Sequence, residues 1–395
     1  MTNNIKCIHV EHSIRIENDG KCRACCMQYG DWGDQYNVSN KTFDEIKNSP
    51  ARQDVIEAFK KGVRHEACNR CWEEEDAGFA SKRMRDNEKF YNNVMYDQKF
   101  NFPSVIDVSM GNACNIKCRT CGPFNSSLWA KEFKDLGFFQ GNNKEYKAWL
   151  KTFNDAYEDS SVFWDSFESS LQDVKHIDFY GGEPFLVKKQ WEMLQTAIDN
   201  DFAKNITIHY NTNGTIWDEE KEDTLKEFHK VYIDFSIDGL EDHLHYIRYP
   251  AEWNTVFENF QKALSFSERN PNININVCVT ISNLNVFYIP EIDSVFKKYT
   301  KNVYLNLVHD PSYYNIKYLP TGVKKSISDK ILAYTRNDFY TDKVLKFMDS
   351  YIASDEENFK EFLKITKIQD QYRGQSFEKT FPEFYKILHD AGYRL

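Results

Sequence analysis

Between residues 100 and 320, short apolar segments alternate with segments long enough to form helices, and this alternation constrains the fold more than any other feature. Strands separated by helix-length spacers are typical of parallel βα units in an α/β fold. Consecutive units of this kind build part of a barrel, with the reactive face at the carboxyl ends of the strands. We predict six strands, at 104–109, 175–180, 206–211, 231–237, 273–281 and 303–309.

A loop with three cysteines directly follows the first predicted strand. Cys114, Cys118 and Cys121 stand in a C-x3-C-x2-C spacing. Three thiolates on one short loop can bind three irons of a cubic iron-sulfur cluster and leave the fourth iron without a protein ligand. Such an iron can bind a second molecule and take part in chemistry. A structural zinc loop, or three unrelated buried thiols, is the alternative interpretation.

This loop resembles the signature of the radical S-adenosylmethionine (SAM) superfamily, and the strand count matches the six-stranded partial barrel of that family. The resemblance implies that the three cysteines bind a [4Fe-4S] cluster whose open iron is chelated by SAM. It also implies that an electron donor such as flavodoxin or ferredoxin reduces the cluster. SAM is then cleaved to methionine and a 5′-deoxyadenosyl radical, which abstracts a hydrogen atom from the substrate.

The second predicted strand ends in Gly181-Gly182-Glu183, which resembles the family motif that binds the amino group of SAM. Glycines allow the backbone to approach a ligand closely, and a carboxylate can accept hydrogen bonds from a cationic amine. The same resemblance implies further SAM-binding residues near the ends of later strands, namely Asn213, Ser236, Asp238, Arg248 and Asn283. For Asn213 and Asp238 a role in turns is an alternative, and for Arg248 a structural ion pair is one.

A second set of cysteines precedes the barrel. The order C-x12-G-x4-C, followed later by C-x2-C, resembles the auxiliary-cluster unit called the twitch domain, a shortened relative of the SPASM domain. The resemblance implies a second [4Fe-4S] cluster bound by Cys7, Cys25, Cys68 and Cys71. Cys22 and Cys26 could replace one of the first two ligands, and a four-cysteine zinc site is also compatible with the spacing. Familiar domains of this kind follow the barrel in the sequence, whereas this one precedes it. The side of the active site that the second cluster faces is therefore left open.

These patterns divide the chain into three parts. Residues 1–95 form the cysteine-rich unit, with a hairpin-like start at 14–20 and a helical segment at 43–61. Residues 96–320 form the partial barrel, with an inserted helical segment within 122–174. Residues 321–395 form amphipathic helices to which we assign no catalytic residue. Cys278 lies in an apolar strand and is interpreted as a core residue.

Composition narrows the possible partners. The net charge is −10, and no basic patch interleaved with aromatic residues is present, so we do not expect a nucleic-acid partner. No apolar run is long enough to cross a bilayer, and the start lacks the pattern of a signal peptide, so we expect no membrane partner and a cytoplasmic location. In that compartment cysteines are more often metal ligands than disulfides.

The resemblance leaves the substrate open. An oxidative modification of a peptide is the first hypothesis, because peptide-modifying enzymes are numerous among such relatives. Dehydrogenation or epimerisation of a carbohydrate or another small metabolite is the second. A non-catalytic metal-binding adaptor that retains the fold is the third, although the intact cysteine loop and Gly-Gly-Glu motif argue against it.

We expect the protein, after anaerobic reconstitution, to contain about eight irons and about eight sulfides, as two cubic clusters require. Replacing Cys114, Cys118 and Cys121 by Ala should remove about half of each. The measurement is metal and sulfide analysis of both proteins. About four irons with one zinc in the unmutated protein would instead support the zinc interpretation of the N-terminal cysteines.

Overall fold

The computed structural model of the protein describes residues 5–76, 78, 80–91, 101–151, 157–334, 339–350 and 356–395. In these residues eight strands form one sheet in the order β2-β1-β3-β4-β5-β6-β7-β8, and every pairing except β1 with β2 is parallel. The strands are β1 (Ser13–Ile16), β2 (Cys22–Arg23), β3 (Val105–Ser109), β4 (His176–Tyr180), β5 (Thr207–Thr212), β6 (Lys230–Ser236), β7 (Ile273–Ile281) and β8 (Val303–Leu307).

Helices connect the strands and extend beyond the sheet. Before β4 they are α1 (Ile8–His12), α2 (Phe43–Lys47), α3 (Pro50–Lys60), α4 (Asn69–Asp76), α5 (Lys82–Tyr91), α6 (Trp129–Asp135), α7 (Asn143–Lys151) and α8 (Ser161–Ser170). Between β4 and β8 they are α9 (Lys188–Asp199), α10 (Glu222–Lys226), α11 (Asp242–Ile247), α12 (Trp253–Arg269) and α13 (Ile289–Phe296). After β8 they are α14 (Thr321–Ala333), α15 (Phe339–Asp349), α16 (Glu357–Arg373), α17 (Phe377–Thr380) and α18 (Pro382–Asp390).

All six strands predicted for the barrel are confirmed, as β3 to β8, and so are the hairpin-like start, the helical segment at 43–61, the helical insertion and the C-terminal helices. The hairpin was expected to belong to a separate unit, but β1 pairs in parallel with β3, with Ile14 opposite Ile106. The cysteine-rich unit and the barrel therefore share one sheet. The predicted limits at 95 and 320 stay a prediction.

The sheet has one apolar and one polar face, because side chains alternate along each strand. One row across six strands consists entirely of buried aliphatic residues, Ile14, Ile106, Ile177, Ile208, Val231 and Ile273. Helices cover this face: the ring of Phe260 in α12 lies 5.4 Å from that of Phe235 in β6. The opposite face carries polar and charged side chains and lines the interior of the partial barrel.

The N-terminal unit reaches both edges of the sheet. Its strand β1 extends the sheet beside β3, while its helix α4 contacts the loop after β8. Arg70 in α4 pairs with Asp310 at 2.8 Å, and Glu74 lies 3.5 Å from the imidazole of His309. The open side of the barrel is thus bridged by the unit that carries the second set of cysteines.

No helix in the described part of the chain is both long and apolar enough to span a membrane.

Arg15 connects β1 to β3 on the polar face, and its loss should destabilise the fold. Its guanidinium pairs with Asp107, donates to Glu17 at 3.1 Å and donates to Ser109 at 2.6 Å, all within the buried interior. Removing one partner of a buried ion pair typically costs about 3–5 kcal/mol. We therefore expect Arg15→Met to lower the free energy of unfolding in urea by about that amount.

A matched control is Lys325→Met, because Lys325 pairs with Asp329 on the surface, where an ion pair contributes at most about 1 kcal/mol. Equal losses in the two variants would contradict the role of Arg15.

Candidate functional site

The cysteine loop follows β3 and is fixed by backbone hydrogen bonds on two sides. On one side the N–H of Glu183 donates to the carbonyl of Ala113 at 2.8 Å. On the other side the N–H groups of Lys117 and Arg119 donate to carbonyls at the end of α11, at 2.7 and 2.8 Å. The loop is therefore positioned by the protein itself.

Each of the three cysteines has a polar neighbour at its sulfur. The side-chain amide of Asn213 lies 3.9 Å from the Sγ of Cys114, and the guanidinium of Arg248 lies 3.8 Å from the Sγ of Cys118. The thiol of Cys121 donates to Cys118. This hydrogen bond, helped by the nearby Arg248, lowers the pKa of Cys118 and raises that of Cys121. Only Cys118 is thereby shifted toward the thiolate form that binds metal, since burial raises the pKa of Cys114 to about 11.

The two glycines of the Gly-Gly-Glu motif are required by packing against the protein. A Cβ on Gly182 would lie 2.2 Å from the carbonyl oxygen of Ala113, and one on Gly181 would lie 2.7 Å from the side chain of Asn18. Both residues also have positive φ values, which favour glycine. The close approach expected here is thus to the cysteine loop. Contact between this backbone and SAM stays a prediction.

Glu183 is buried and joins the ends of β4 and β5. Its carboxylate accepts hydrogen bonds from the hydroxyl of Thr212 at 2.8 Å, the N–H of Asn213 at 2.7 Å and the N–H of Phe185 at 3.2 Å. Burial raises its pKa, and these donors oppose the rise. A carboxylate has about four acceptor positions, and three are used here. Binding of an amine of SAM at the fourth stays a prediction.

Asp238 and Arg248 bind each other. The Nε of Arg248 donates to Asp238 at 2.7 Å, and the other oxygen of that carboxylate accepts from the N–H of Thr280 at 2.7 Å. Burial raises the pKa of Asp238, while Arg248 lowers it. Asp238 therefore acts first on Arg248, whose terminal nitrogens point toward the cysteine loop.

Ser236 ends β6 and Asn283 follows the end of β7, and contact of either residue with SAM stays a prediction. Ser236 ends β6 on the polar face, opposite Cys278 of β7. Asn283 is fully buried, and its amide donates to the carbonyl of Tyr313 at 2.8 Å. Its Oδ1 has no hydrogen-bond partner in the described residues. An orphaned buried acceptor fits a donor group of a bound ligand.

The four N-terminal cysteines predicted as ligands line one cavity. Cys7 directly precedes α1, Cys25 follows β2, Cys68 directly precedes α4 and Cys71 lies within α4. Arg83 also lines the cavity. Burial raises the pKa of Cys7 and of Cys68 to about 12, with Arg83 opposing the rise. Metal binding would displace these protons.

Cys22 and Cys26 do not line this cavity. Cys22 is buried, with its Sγ 3.6 Å from the carbonyl of Gly20, and Cys26 is exposed. The first-choice ligand set is the one that the structure brings together. In the described residues, no three cysteine, histidine, aspartate or glutamate side chains lie close enough to hold a single metal ion. A cubic cluster separates its ligands more widely than one ion does.

A charged network on the polar face was missed by the sequence analysis. The ring of His209 in β5 lies between Asp178 of β4, at 2.8 Å, and Asp234 of β6, at 2.7 Å. His176 shares Asp178 at 2.9 Å, and Asn276 donates to Asp234 at 2.7 Å. Polar residues at every second position of the parallel strands are the signal that could have identified this network.

Residues 108–285 match the family model of the Radical SAM superfamily. This segment begins in β3, ends after β7, and contains the cysteine loop and all predicted SAM-binding residues. The chain is also 26% identical over 214 residues to the Fe-coproporphyrin III synthase of Methanosarcina barkeri. The aligned residues make up 53% of this chain and 44% of that protein. The chain thus spans less than half the length of that relative.

Two solved structures are similar at low identity. Native anSMEcpe with bound AdoMet shares 19% identity at a TM-score of 0.40, with 58% of this chain and 59% of that chain covered. Streptococcus suis SuiB bound to the precursor peptide SuiA shares 14% identity at a TM-score of 0.37, with 64% and 51% covered.

The network predicts a pH dependence of stability. Burial opposes a charge on His209, but Asp234 and Asp178 outweigh it and raise its pKa from 6.5 to about 9. This stabilisation is complete below pH 6.5 and is lost as the pH rises through 9. We expect the loss, on the order of 3 kcal/mol, to be absent from His209→Gln when unfolding is measured across this range.

His176→Gln is the matched control. Burial lowers the pKa of His176 to about 4, so this residue stays neutral throughout the range and its replacement should preserve the pH dependence. A wild-type pH profile in His209→Gln would contradict the assignment.

Proposed function

We propose a function from the premise that this protein is a radical SAM enzyme, as the superfamily match over residues 108–285 indicates. Enzymes of this kind use a [4Fe-4S] cluster and SAM. We infer that Cys114, Cys118 and Cys121 bind that cluster, that the surrounding strand ends bind SAM, and that the enzyme carries out an oxidative modification of a peptide with the help of a second cluster.

The observation that carries the oxidative proposal is the N-terminal cavity. Four cysteines from three separate segments line it, and together they can supply every protein ligand of a cubic cluster. A cluster without an open iron is suited to electron transfer. Four thiolates could also hold zinc, which has no redox chemistry of its own.

Lys82 connects this cavity to the polar face of the barrel. It lines the cavity beside Cys25, its Nζ lies 3.0 Å from Asp86, and it interacts electrostatically with Tyr180 and Asp178 at the end of β4. The second centre is therefore proposed to face the barrel interior from the β1 side. This position supports an exchange of electrons with a substrate held against the polar face.

When bound, the first cluster and SAM supply a 5′-deoxyadenosyl radical that removes a hydrogen atom from the substrate, and the second cluster supplies an electron acceptor. The chain's own residues bind SAM and orient it. Glu183 keeps one acceptor position for the SAM amine, and Asn283 keeps a buried acceptor for another donor of SAM. An external donor such as flavodoxin or ferredoxin would provide the initiating electron.

A peptide is the preferred substrate because each residue of an extended chain carries a backbone donor and a backbone acceptor. The polar face offers both kinds of group, with carboxylates such as Asp107 and Asp178 beside cations such as Arg15 and Lys82. These groups are already paired, Asp107 with Arg15 and Asp178 with two histidines, so a peptide would bind through the donor and acceptor positions that these pairs leave.

A small metabolite is the second candidate. It is favoured by the identity with Fe-coproporphyrin III synthase, whose name describes a tetrapyrrole product. Dehydrogenation or epimerisation of a carbohydrate falls in the same class. The adaptor hypothesis is set aside, since the match to the superfamily indicates an enzyme.

The decisive variant is Cys68→Ala combined with Cys71→Ala. We expect it to cleave SAM to 5′-deoxyadenosine at a rate near that of the wild type, because the barrel site is intact, but to yield less than about a tenth of the oxidised product. Mass spectrometry of candidate peptides should show a wild-type product lighter by two hydrogens, with one SAM consumed for each.

Cys22→Ala with Cys26→Ala is the control, since neither cysteine lines the cavity, and it should retain product formation. A product of unchanged mass would point to epimerisation and would rule out the second cluster as electron acceptor. Absence of 5′-deoxyadenosine from the reduced wild type would refute the radical mechanism altogether.

A further inference from the structure

Helix α16, in the C-terminal part of the chain, packs behind the cysteine loop. Asp370 in this helix accepts hydrogen bonds from the guanidinium of Arg119 at 2.5 Å, the hydroxyl of Tyr246 at 2.6 Å and the N–H of Phe377 at 2.6 Å. Arg119 stands between Cys118 and Cys121 in the loop, and its side chain is fully buried. The C-terminal helix is therefore anchored to the loop that carries the ligands.

Arg119 directs its remaining donors to the same neighbourhood. It donates to Gln369 at 3.2 Å and to Gln375 at 2.9 Å, and its Nε donates to the carbonyl of Tyr246 at 3.1 Å. Because Arg119 is withdrawn from water, the loop cannot shift without leaving a buried charge unpaired. This anchor fixes the last turn of α16 next to the loop.

Arg373 is the last residue of that helix and is also buried. Its Nε donates to Glu132 in α6 at 2.9 Å, and its guanidinium lies 4.9 Å from the ring centre of Trp129. The indole N–H of Trp129 in turn donates to the carbonyl of Cys118 at 2.8 Å. The two terminal nitrogens of Arg373 have no hydrogen-bond partner among the described residues.

Arg373 has the weakest charge compensation of the cations near Cys118. Arg119 is paired with Asp370, and Arg248 is paired with Asp238. Glu132, in contrast, is shared by two cations, Arg373 at 2.9 Å and Lys117 at 2.6 Å. Arg373 is the more buried of these two and keeps two donors unpaired. A buried cation of this kind is stabilised by a nearby anion.

We propose that Arg373 is a positioning residue of the cluster site. Its positive charge partly balances the negative charge of the thiolate-bound cluster and thereby raises the reduction potential of that cluster. A cluster with three thiolate ligands is negatively charged and gains a further negative charge on reduction. A nearby cation stabilises the reduced form more than the oxidised form. The proposal rests on the proposed function, because it requires a cluster on Cys114, Cys118 and Cys121.

The test compares Arg373→Gln, which removes the charge, with Arg373→Lys, which keeps it, in the full chain with both clusters reconstituted. The midpoint potential is measured by titration with electron paramagnetic resonance, using the signal that changes when SAM is added. We expect Arg373→Gln to shift the potential to more negative values and Arg373→Lys to stay close to the wild type. Arg394→Gln, an exposed change of the same charge, should have no effect.

For a second variant we expect a shift of the midpoint potential in the opposite direction. Glu132→Gln removes the carboxylate shared by Arg373 and Lys117, so the potential should become less negative. A purely structural role would not produce opposite shifts, and iron analysis checks that each variant retains its clusters. Equal potentials in all variants, or equal iron loss in Arg373→Gln and Arg373→Lys, would overturn the proposal.

Different results would refute the proposed function and the proposed role of Arg373. Absence of any cluster on the three loop cysteines of the wild type would refute the proposed function. A wild type that contains the cluster and cleaves SAM, with a potential insensitive to Arg373 and Glu132, would refute only the role of Arg373.

Discussion

The backbone hydrogen bond from Glu183 to Ala113 connects the end of β4 to the cysteine loop after β3, and the geometry of the site depends on this contact. A side chain at 182 would prevent it, because its Cβ would collide with the accepting carbonyl. The carboxylate of Glu183 then extends the connection to β5 through Thr212 and Asn213. Three strand ends are thereby held in one arrangement around the sulfur atoms.

Most of the residues predicted to bind SAM are occupied in the structure by contacts within the protein. Parallel strands place their carboxyl ends at one edge, where loops converge and contact each other. Asp238 illustrates this, because its carboxylate accepts hydrogen bonds from Arg248 and Thr280. Its position therefore supports Arg248, which lies beside Cys118.

The barrel is completed from both ends of the chain. The N-terminal hairpin extends the sheet beside β3, and its helix α4 reaches the loop after β8. From the other end, α16 closes the back of the cysteine loop through Asp370 and Arg119. Neither end is an appendage, since each contributes buried charged groups that the central strands alone would leave unpaired.

The sequence by itself determined the six strands and the three-cysteine loop, because alternation and close ligand spacing are local properties that a short segment must satisfy wherever it lies. The set Cys7, Cys25, Cys68 and Cys71 was implied by a family resemblance, and the structure brings these four residues to one cavity. Only the tertiary structure decided that β1 pairs with β3, that His209 lies between two carboxylates, and that Arg373 reaches the cysteine loop. These contacts join segments far apart in the chain. The alternation of polar residues places His209 and the two carboxylates on one face of their strands, but which strands and helices become neighbours depends on how the whole sheet packs.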